Sequence, residues 1–371
     1  MTLFFLENFL FFVEIIRYKI PNTNCTIMKK ILLSLMALVG TIAAIAQISD
    51  GVSATLQNGE MTSIFYGYDS FKDAVAAAPN EGGVITLSPG AFSNPGALTK
   101  SMKIYGAGFE KDASNNISET RVNGDLTITS TDEFSPVVRI EGIYYTGQAV
   151  INGMQLVANT EIIKCSFGYF YNRAETNNII IRQCYIRNWV NGQDKKTTAF
   201  VVANCWLSGM EPNFAAGSQV SVDHCIIVDS WYSQGPYFYT NNIINPAHYY
   251  RFSAGATCYN NVCSNNKLDV GGNNVCEGNY DQSLWTDCKT LFADGQDNWD
   301  YATEDGTPRT WELANPETYV GTDGTPCGVT GGNFPWNPIP STPRIISTSV
   351  DSKSEPGKLK VSIKAEARPL E

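Results

Sequence analysis

Apolar and polar positions between Ile162 and Cys263 follow one short recurring pattern. The pattern has eight positions. Positions 1, 3 and 8 are apolar, position 6 is a cysteine or asparagine, and the other positions vary. The clearest copy is IIIRQCYI at 179–186. The second apolar positions recur every 17 to 21 residues, at Ile162, Ile181, Val202, Val222, Tyr239 and Cys258. A nearly constant interval of this length indicates a repeat architecture.

The pattern predicts short strands separated by bends. An apolar-x-apolar pair is typical of a strand with one side facing a core. The two residues that follow break this alternation, so the chain bends there. Asparagine is the non-glycine residue that most readily adopts the left-handed conformation such a corner needs. We predict an all-β solenoid of stacked parallel strands, with corners at Lys164, Gln183, Asn204, His224, Asn241 and Asn260.

Outside this repeat, three segments have their own patterns. Residues 68–83 predict a short helix that Ser70 caps, with one apolar face. Residues 111–123 predict a surface loop. Alternation over Leu359–Ile363 predicts a strand, within a small C-terminal β tail at 341–371.

The N-terminal region indicates export. From Met28, a basic pair, an apolar run and Ala44-Ile45-Ala46 form a signal-peptide pattern over 28–46. Residues 1–27 are then interpreted as a mis-called extension, and 50–340 as the solenoid domain with its caps. Charges interrupt the apolar run between Leu3 and Ile20, so we predict no stable membrane span in the mature chain. The expected location is secreted, periplasmic or at the cell surface, after cleavage near Ala46.

Charge narrows the choice of partner. The net charge is −10, and removal of residues 1–46 takes away two acidic and four basic side chains, which leaves −12. This balance disfavours nucleic acid, which needs a basic surface. The predicted partner is a polysaccharide or cell-surface glycan. An acidic glycan needs a basic patch or a bridging cation, so calcium is the one candidate cofactor, and none is certain.

The cysteines fit the repeat better than a disulfide framework. Cys165, Cys184, Cys205 and Cys225 occupy one position of successive repeats, which predicts a buried column of thiols. Asn242 and Asn261 continue this column, and we predict a side-chain ladder there. Cys288 and Cys327 lie outside the repeat and are better candidates for a disulfide.

The segment GGVITLSPGAF after the predicted helix resembles the N-terminal cap and first turn of right-handed parallel β-helix proteins, the pectate-lyase-like group. IIIRQCYIRN and VSVDHCIIVDS resemble their later turns, and the resemblance spans about 68–279. VGTDGTPCGVTGGNFPWNPIPSTPRI resembles the region that closes the helix in secreted, uncharacterised β-helix proteins of gut Bacteroidetes. The resemblance implies a right-handed parallel β-helix with an N-terminal capping helix and a small C-terminal β appendage.

The residue after each column cysteine faces away from the core, which places Tyr185, Trp206 and Ile226 in one outward row. An outward apolar row needs a partner. Either loops or the C-terminal tail cover it, or it is a platform on which sugar rings stack. On the second hypothesis the substrate-binding residues are Tyr185, Trp206, Trp189 and Trp231.

The resemblance also implies a chemistry. Uronate lyases of this fold need a base near the C5 proton of the sugar and a group that neutralises charge. Weak catalytic candidates are Arg187, Lys195, Asp223 and His224. The repeat columns hold no acidic pair of the kind that glycosidases use, and no histidine or cysteine spacing predicts a metal site. We therefore predict a protein that binds or processes polysaccharide, with β-elimination as the favoured reaction if it is an enzyme. The alternative is a non-catalytic, adhesin-like surface protein.

Overall fold

A computed structural model describes residues 51–211, 213–229, 231–232, 235–245, 250–251, 255–263, 273–281, 287–341, 343–350 and 361–366. The predicted extension 1–27, the predicted signal peptide 28–46 and His248 lie outside these residues. The domain boundaries and the location of the protein therefore stay predictions. Among the described residues, no helix is long and apolar enough to cross a membrane.

Short strands account for most of the regular structure. In the first half of the chain they are β1 (Ser53–Asn58), β2 (Met61–Tyr66), β3 (Gly83–Leu87), β4 (Gly90–Ser93), β5 (Ala97–Leu98), β6 (Met102–Tyr105), β7 (Thr120–Asn123), β8 (Leu126–Ser130), β9 (Val138–Glu141), β10 (Tyr144–Tyr145), β11 (Ala149–Gly153), β12 (Val157–Ile163), β13 (Ser166–Phe167), β14 (Phe170–Asn172), β15 (Thr176–Arg182) and β16 (Tyr185–Asn191).

The second half begins with β17 (Phe200–Ala203), β18 (Trp206–Glu211), β19 (Val220–Asp223), β20 (Ile226–Ile227), β21 (Trp231–Tyr232), β22 (Phe238–Thr240) and β23 (Ile243–Ile244). It continues with β24 (Tyr250–Arg251), β25 (Thr257–Tyr259), β26 (Val262–Cys263), β27 (Val275–Glu277), β28 (Tyr280–Asp281), β29 (Arg344–Val350) and β30 (Val361–Glu366). The two helices are α1 (Ser70–Ala77) and α2 (Cys288–Leu291).

The strands stack into a parallel β-solenoid of about nine turns. Sheet A has the order β2-β1-β3-β6-β9-β12-β15-β17-β19-β22-β25-β27. Sheet B has two rows: β4-β7-β10-β13-β16-β18-β20-β23-β26-β28, and β5-β8-β11-β14, which β16 and β18 connect to β21-β24. All these pairs are parallel except those of β1, which runs antiparallel to β2 and β3.

The core is built from inward columns that the strand register aligns. In sheet A one column contains Ile85, Ile104, Ile140, Ile162, Ile181, Val202 and Val222, all fully buried. Because the side-chain period of a strand is two, in-register stacking keeps every apolar residue of a column inside. The prediction of an all-β parallel solenoid is confirmed.

The six predicted corner residues adopt the left-handed conformation. Their φ angles lie between 48° and 59° at Lys164, Gln183, Asn204, His224, Asn241 and Asn260. Beside them runs the column of Cys165, Cys184, Cys205 and Cys225, in which every side chain is fully buried. Both predictions are therefore confirmed.

The asparagine ladder is also present. The Nδ2 of Asn242 donates to Oδ1 of Asn261 at 2.9 Å, and the Nδ2 of Asn261 donates to Oδ1 of Asn279 at 3.0 Å. The ladder thus extends one coil beyond the predicted pair. Cys288 and Cys327 do not pair with each other, since their thiols donate to the carbonyl oxygens of Asn298 and Asn260.

The predicted N-terminal helix is α1, whose face of Phe71, Ala74 and Val75 joins the solenoid core. Ser70 does not cap it: Asp69 is the N-cap, and Ser70 is the first helical residue with a buried hydroxyl. That α1 caps the solenoid stays a prediction. The C-terminal β tail is present as the antiparallel pair β29–β30. The loop predicted over 111–123 ends earlier than predicted, because residues 120–123 form β7, which pairs with β4 and β10.

Residues 287–341, which we call the covering segment, lie along the corner residues of the solenoid. Each corner side chain from Lys164 to Asn260 bonds a different point of the segment. The partners are the carbonyl oxygens of Ile339, Pro335, Gly331 and Val320, the hydroxyl of Thr325 and the amide of Thr322. Successive coils meet successively earlier residues, so the segment runs back from the C-terminal end of the solenoid. It ends where Ser341 donates twice to Glu141.

Candidate functional site

The outward row of sheet B determines where the candidate site lies. In register order it contains Arg121, Tyr144, Ser166, Tyr185, Trp206, Ile226, Ile243 and Val262. From Trp206 onward the row is buried in a second apolar cluster, against Phe292, Trp311 and Tyr319 of the covering segment. The row therefore faces away from the solenoid core, as predicted, and the C-terminal part of the chain covers much of it.

Trp206 cannot serve as an exposed sugar platform. It is 6% exposed, and its ring lies 5.7 Å from that of Tyr301 and 6.2 Å from that of Trp311. The covering segment occupies the face of Trp206 that a stacked sugar would need. Substrate binding at Trp206 would therefore require a different arrangement of the segment, and it stays a prediction.

Tyr185 lies where the cover ends. Its ring stacks on Tyr301, with centroids 3.7 Å apart and planes 9° from parallel. Beyond this pair opens a cavity of about 420 Å³ that we call the Glu110 cleft. Its lining is Phe109, Glu110, Lys111, Ala113, Glu119, Arg121, Tyr144, Tyr185, Tyr301, Ala302, Asp305, Gly306, Thr307 and Pro308. Of the four predicted substrate-binding residues, Tyr185 is the one that lines this cleft.

Glu110 is the chemically unusual residue of the cleft. It follows β6 in the loop that leads to β7, and its Oε1 is buried without a hydrogen-bond partner. Burial raises the pKa of this carboxyl from 4.5 to about 7, because removal from water disfavours the charged form. Near neutral pH the group is therefore present in both protonation states, and a carboxyl in that condition can take up or release a proton.

The walls of the cleft combine aromatic rings with fixed positive charge. The guanidinium groups of Arg121 and Arg187 each lie 4.6 Å from the ring centroid of Tyr144. Arg121 also forms an ion pair with Glu119 at 3.2 Å. Burial raises the pKa of Tyr185, so its phenol stays neutral at physiological pH.

A second cavity of about 410 Å³ adjoins the first and shares Glu110, Lys111, Ala113 and Pro308 with it. Trp336 lies on its wall, with its ring 6.1 Å from that of Phe109. Glu110 thus lines both cavities.

Arg187 lies next to the cleft, but its guanidinium is already occupied. It donates to the hydroxyl of Ser166 and to the carbonyl oxygens of Tyr145 and Thr146. Burial lowers its pKa below the usual arginine value. Arg187 therefore fixes the sheet and adds positive charge behind Tyr144, and it does not reach into the cavity as a base.

The other catalytic candidates do not line the cleft: Asp223 and His224 lie together, and Lys195 lies in a different loop. Asp223 and His224 are at the end of β19, where His224 is buried beneath the covering segment and its Nδ1 lies 3.0 Å from Asp223. Burial tends to raise the pKa of Asp223, but hydrogen bonds from His224, Thr240 and Asn241 hold it below the usual value. Lys195 is exposed in the loop that precedes β17, whereas Asp223 and His224 lie at the carboxyl end of β19. The structure therefore does not bring the four predicted catalytic residues together.

Trp189 lies in the second row of sheet B, half-buried and paired with Gly209 of the next coil. Tyr171 lies on the neighbouring strand β14 and Tyr169 directly precedes that strand, and their rings stack 5.4 Å apart. The backbone of Trp231 is in β21, and its side chain lies outside the description. Trp189 is thus on the surface, away from the residues that line the Glu110 cleft.

The described residues contain no group of three or more histidine, cysteine, aspartate or glutamate side chains placed to hold a metal ion. Calcium binding stays a prediction.

Sequence reasoning missed Glu110, Arg121, Tyr144 and Tyr301. One signal was present: extension of the outward row by two coils toward the N-terminus reaches Tyr144 and then Arg121. The contact between the loop that holds Glu110 and residues 301–308 joins positions nearly two hundred residues apart, and no pattern in the sequence indicates it.

The chain matches no protein-family model, no curated protein and no solved structure. What is established is the parallel β-solenoid itself, and the resemblance to the pectate-lyase-like group stays a proposal about ancestry and activity. Fold alone does not determine function, so the function must be argued from the cleft.

Proposed function

We propose that the protein binds a glycan in the Glu110 cleft and cleaves acidic polysaccharide there by β-elimination. The observation that carries this proposal is a buried carboxyl in a cleft that three tyrosines also line, with its pKa raised by burial to about 7. Aromatic faces suit the apolar faces of pyranose rings. The predicted export after Ala46 would place the protein where polysaccharides occur.

The residues support a single-carboxyl mechanism. Arg121 is placed to neutralise the carboxylate of a uronate, which makes the C5 proton of that sugar easier to remove. Glu110 in its charged form takes this proton, the electron pair forms the C4–C5 double bond, and the C4–O bond breaks. Glu110, now neutral, gives the proton to the departing oxygen. These reaction steps balance without water, a metal ion or a second carboxylate.

The experiment uses the chain without residues 1–46 and a panel of acidic and neutral polysaccharides. Binding is measured on a glycan array, and the unsaturated uronate product by its absorbance. We expect Glu110→Gln to lower kcat by about a hundredfold or more, with KM little changed because the amide keeps the shape of the carboxyl. In the active protein, the rate should rise with pH and level off above about 7, as Glu110 ionises.

A matched pair of tyrosine variants tests the binding surface. Tyr144→Ala removes a wall of the cleft, whereas Tyr66→Ala removes a tyrosine that is 62% exposed on β2. We expect weaker glycan binding for the first variant alone. Equal binding by both variants, or product formation that Glu110→Gln leaves unchanged, would refute the assignment of this cleft.

The second candidate is a non-catalytic surface protein. It is favoured by the ion pair between Arg121 and Glu119, which already satisfies the main charge of the cleft, and by the covered outward row. Glycan binding without product formation would indicate a glycan-binding module. The absence of both binding and product would indicate the structural role.

A further inference from the structure

The last described coils place two cysteines side by side. Cys258 in β25 and Cys276 in β27 are direct partners in the parallel register of sheet A. Neighbouring strands lie about 4.8 Å apart, and disulfides join Cα atoms about 4.4–6.8 Å apart. The two thiols are already in hydrogen-bonding contact. The backbone therefore holds this pair within disulfide range.

The two sulfurs differ in access to solvent. Among the described cysteines Cys276 is exposed, whereas Cys258 and the other seven are buried. The difference follows from position, because Cys276 belongs to an inward column but lies at the edge strand of sheet A. Burial also raises the pKa of Cys258, so the thiol that meets an external reagent first is that of Cys276.

We propose that Cys258 and Cys276 are a disulfide-forming pair that ties the last two strands of sheet A together in the presence of a disulfide oxidant. This site is independent of the function proposed for the Glu110 cleft. The column of Cys165, Cys184, Cys205 and Cys225 lies inside the solenoid, and we expect its thiols to stay reduced in the folded protein.

The chemistry is a two-step exchange with a small disulfide such as oxidised glutathione. The Cys276 thiolate attacks one sulfur of the oxidant, the oxidant's S–S bond breaks, and one glutathione thiolate leaves. Cys258 then loses its proton and attacks the sulfur of Cys276. The second glutathione departs, and the protein has lost two protons and two electrons to an oxidant that is now two thiols.

The bond would act on the part of the solenoid that opens most easily. Stacked repeats are stabilised by their neighbours, so a terminal coil lacks half of its contacts. A covalent link between β25 and β27 encloses residues 258–276 and limits this opening. It would also hold the end of the asparagine ladder, since Asn261 and Asn279 lie within or next to the enclosed stretch.

The test uses the full chain in buffers of reduced and oxidised glutathione, with peptide mapping of the folded protein under non-reducing conditions. We expect one linked peptide pair that contains Cys258 and Cys276 and has lost two hydrogens. The thermal midpoint should rise by several degrees on oxidation. Cys276→Ser should abolish both effects, whereas Cys263→Ser, which alters a buried neighbour of the pair, should leave both intact.

Three results would overturn the proposal: a stable glutathione adduct on Cys276, a link from Cys276 to Cys263, or thiols that stay reduced in oxidised glutathione. The Cys258→Ser variant distinguishes a stable adduct on Cys276 from slow formation of the Cys258–Cys276 disulfide. This variant should retain the glutathione adduct, whereas the wild-type chain should lose it as the disulfide forms. A Cys258→Ser chain that carries no adduct would also refute the proposed order of attack.

Discussion

At the scale of single residues, one buried column contains four cysteines followed by asparagines, because both side chains can accept a hydrogen bond from a backbone amide. The Sγ of Cys184 accepts the amide N–H of Cys165 in the preceding coil, and Sγ of Cys205 accepts that of Cys184, both at 3.4 Å. Further along, Oδ1 of Asn242 accepts the amide of Cys225 at 2.9 Å. The backbone amide that follows each of these corners thus needs an acceptor from the next coil. A buried N–H group without an acceptor would lower the stability of the fold.

This equivalence predicts which substitutions the column tolerates. Asn242→Cys keeps an acceptor for the amide of Cys225, whereas Asn242→Leu has similar size and none. The leucine variant also leaves the carbonyl of Val222 without its donor. We expect Asn242→Leu to cost about 2–5 kcal/mol and Asn242→Cys to cost much less, as measured by denaturant unfolding. Equal losses for the two variants would contradict this account of the column.

Glu110 makes a prediction about stability that needs no substrate. Its pKa is higher in the folded chain, about 7 against 4.5, so the folded state binds more protons between these values and stability falls as pH rises through them. Glu110→Gln removes this dependence. We expect the variant to be more stable than wild type at pH 8, by up to about 3 kcal/mol, and no more stable at pH 4. Thermal unfolding at both pH values checks this, and a gain at pH 4 as well would exclude ionisation as its cause.

At the scale of elements, the sequence predicts the coils well and their partners poorly. The strands, the left-handed corners and the cysteine column follow from residue type and spacing, because each is a local property that the next coil repeats. The corner residues His224, Asn204 and Asn241 are buried, which their position at a bend does not indicate. The covering segment that buries them has no periodic pattern, and its hydrogen bonds to these three residues join positions more than eighty residues apart. The same reason explains why the Glu110 cleft could not be predicted.

The bonds between corners and covering segment can be tested at one coil. Asn204 donates to the carbonyl oxygens of Val329 and Gly331. Asn204→Gly keeps the left-handed backbone available and removes both bonds. We expect hydrogen exchange in residues 329–336 to rise about tenfold or more while exchange in β15 and β19 stays unchanged. Asn116→Gly, at an exposed left-handed asparagine, is the control. A uniform rise across the solenoid would show that Asn204 stabilises the coil itself.

At the scale of the whole molecule, the solenoid and the covering segment are stabilised by different forces. The solenoid columns are apolar side chains, thiols and amides, which do not titrate in acid. The covering segment adds charged contacts to its apolar ones: Asp294 accepts hydrogen bonds of 2.6 and 2.9 Å from the buried guanidinium of Arg309, and Asp223 pairs with the His224 ring beneath the segment. We therefore expect acid to disrupt the contacts of the covering segment before those of the solenoid columns.

We predict that acid releases the covering segment while the solenoid stays folded. Burial tends to raise the pKa of Asp294, but the bonds from Arg309 hold it below 3.8, as those from His224 do for Asp223. A carboxylate with a lowered pKa stabilises the folded state when the pH is above the pKa of that group in the unfolded chain. This contribution is lost as the pH falls through the pKa of the group in the folded chain. Below about pH 4, tryptophan fluorescence should therefore change as Trp206 and Trp311 become exposed to water, before the far-ultraviolet circular dichroism of the strands is lost.

Asp294→Asn leaves Arg309 buried without its counter-charge, which typically costs about 3–5 kcal/mol. The same fluorescence change should then occur closer to neutral pH. Coincident fluorescence and dichroism transitions in both proteins would show instead that segment and solenoid unfold as one unit.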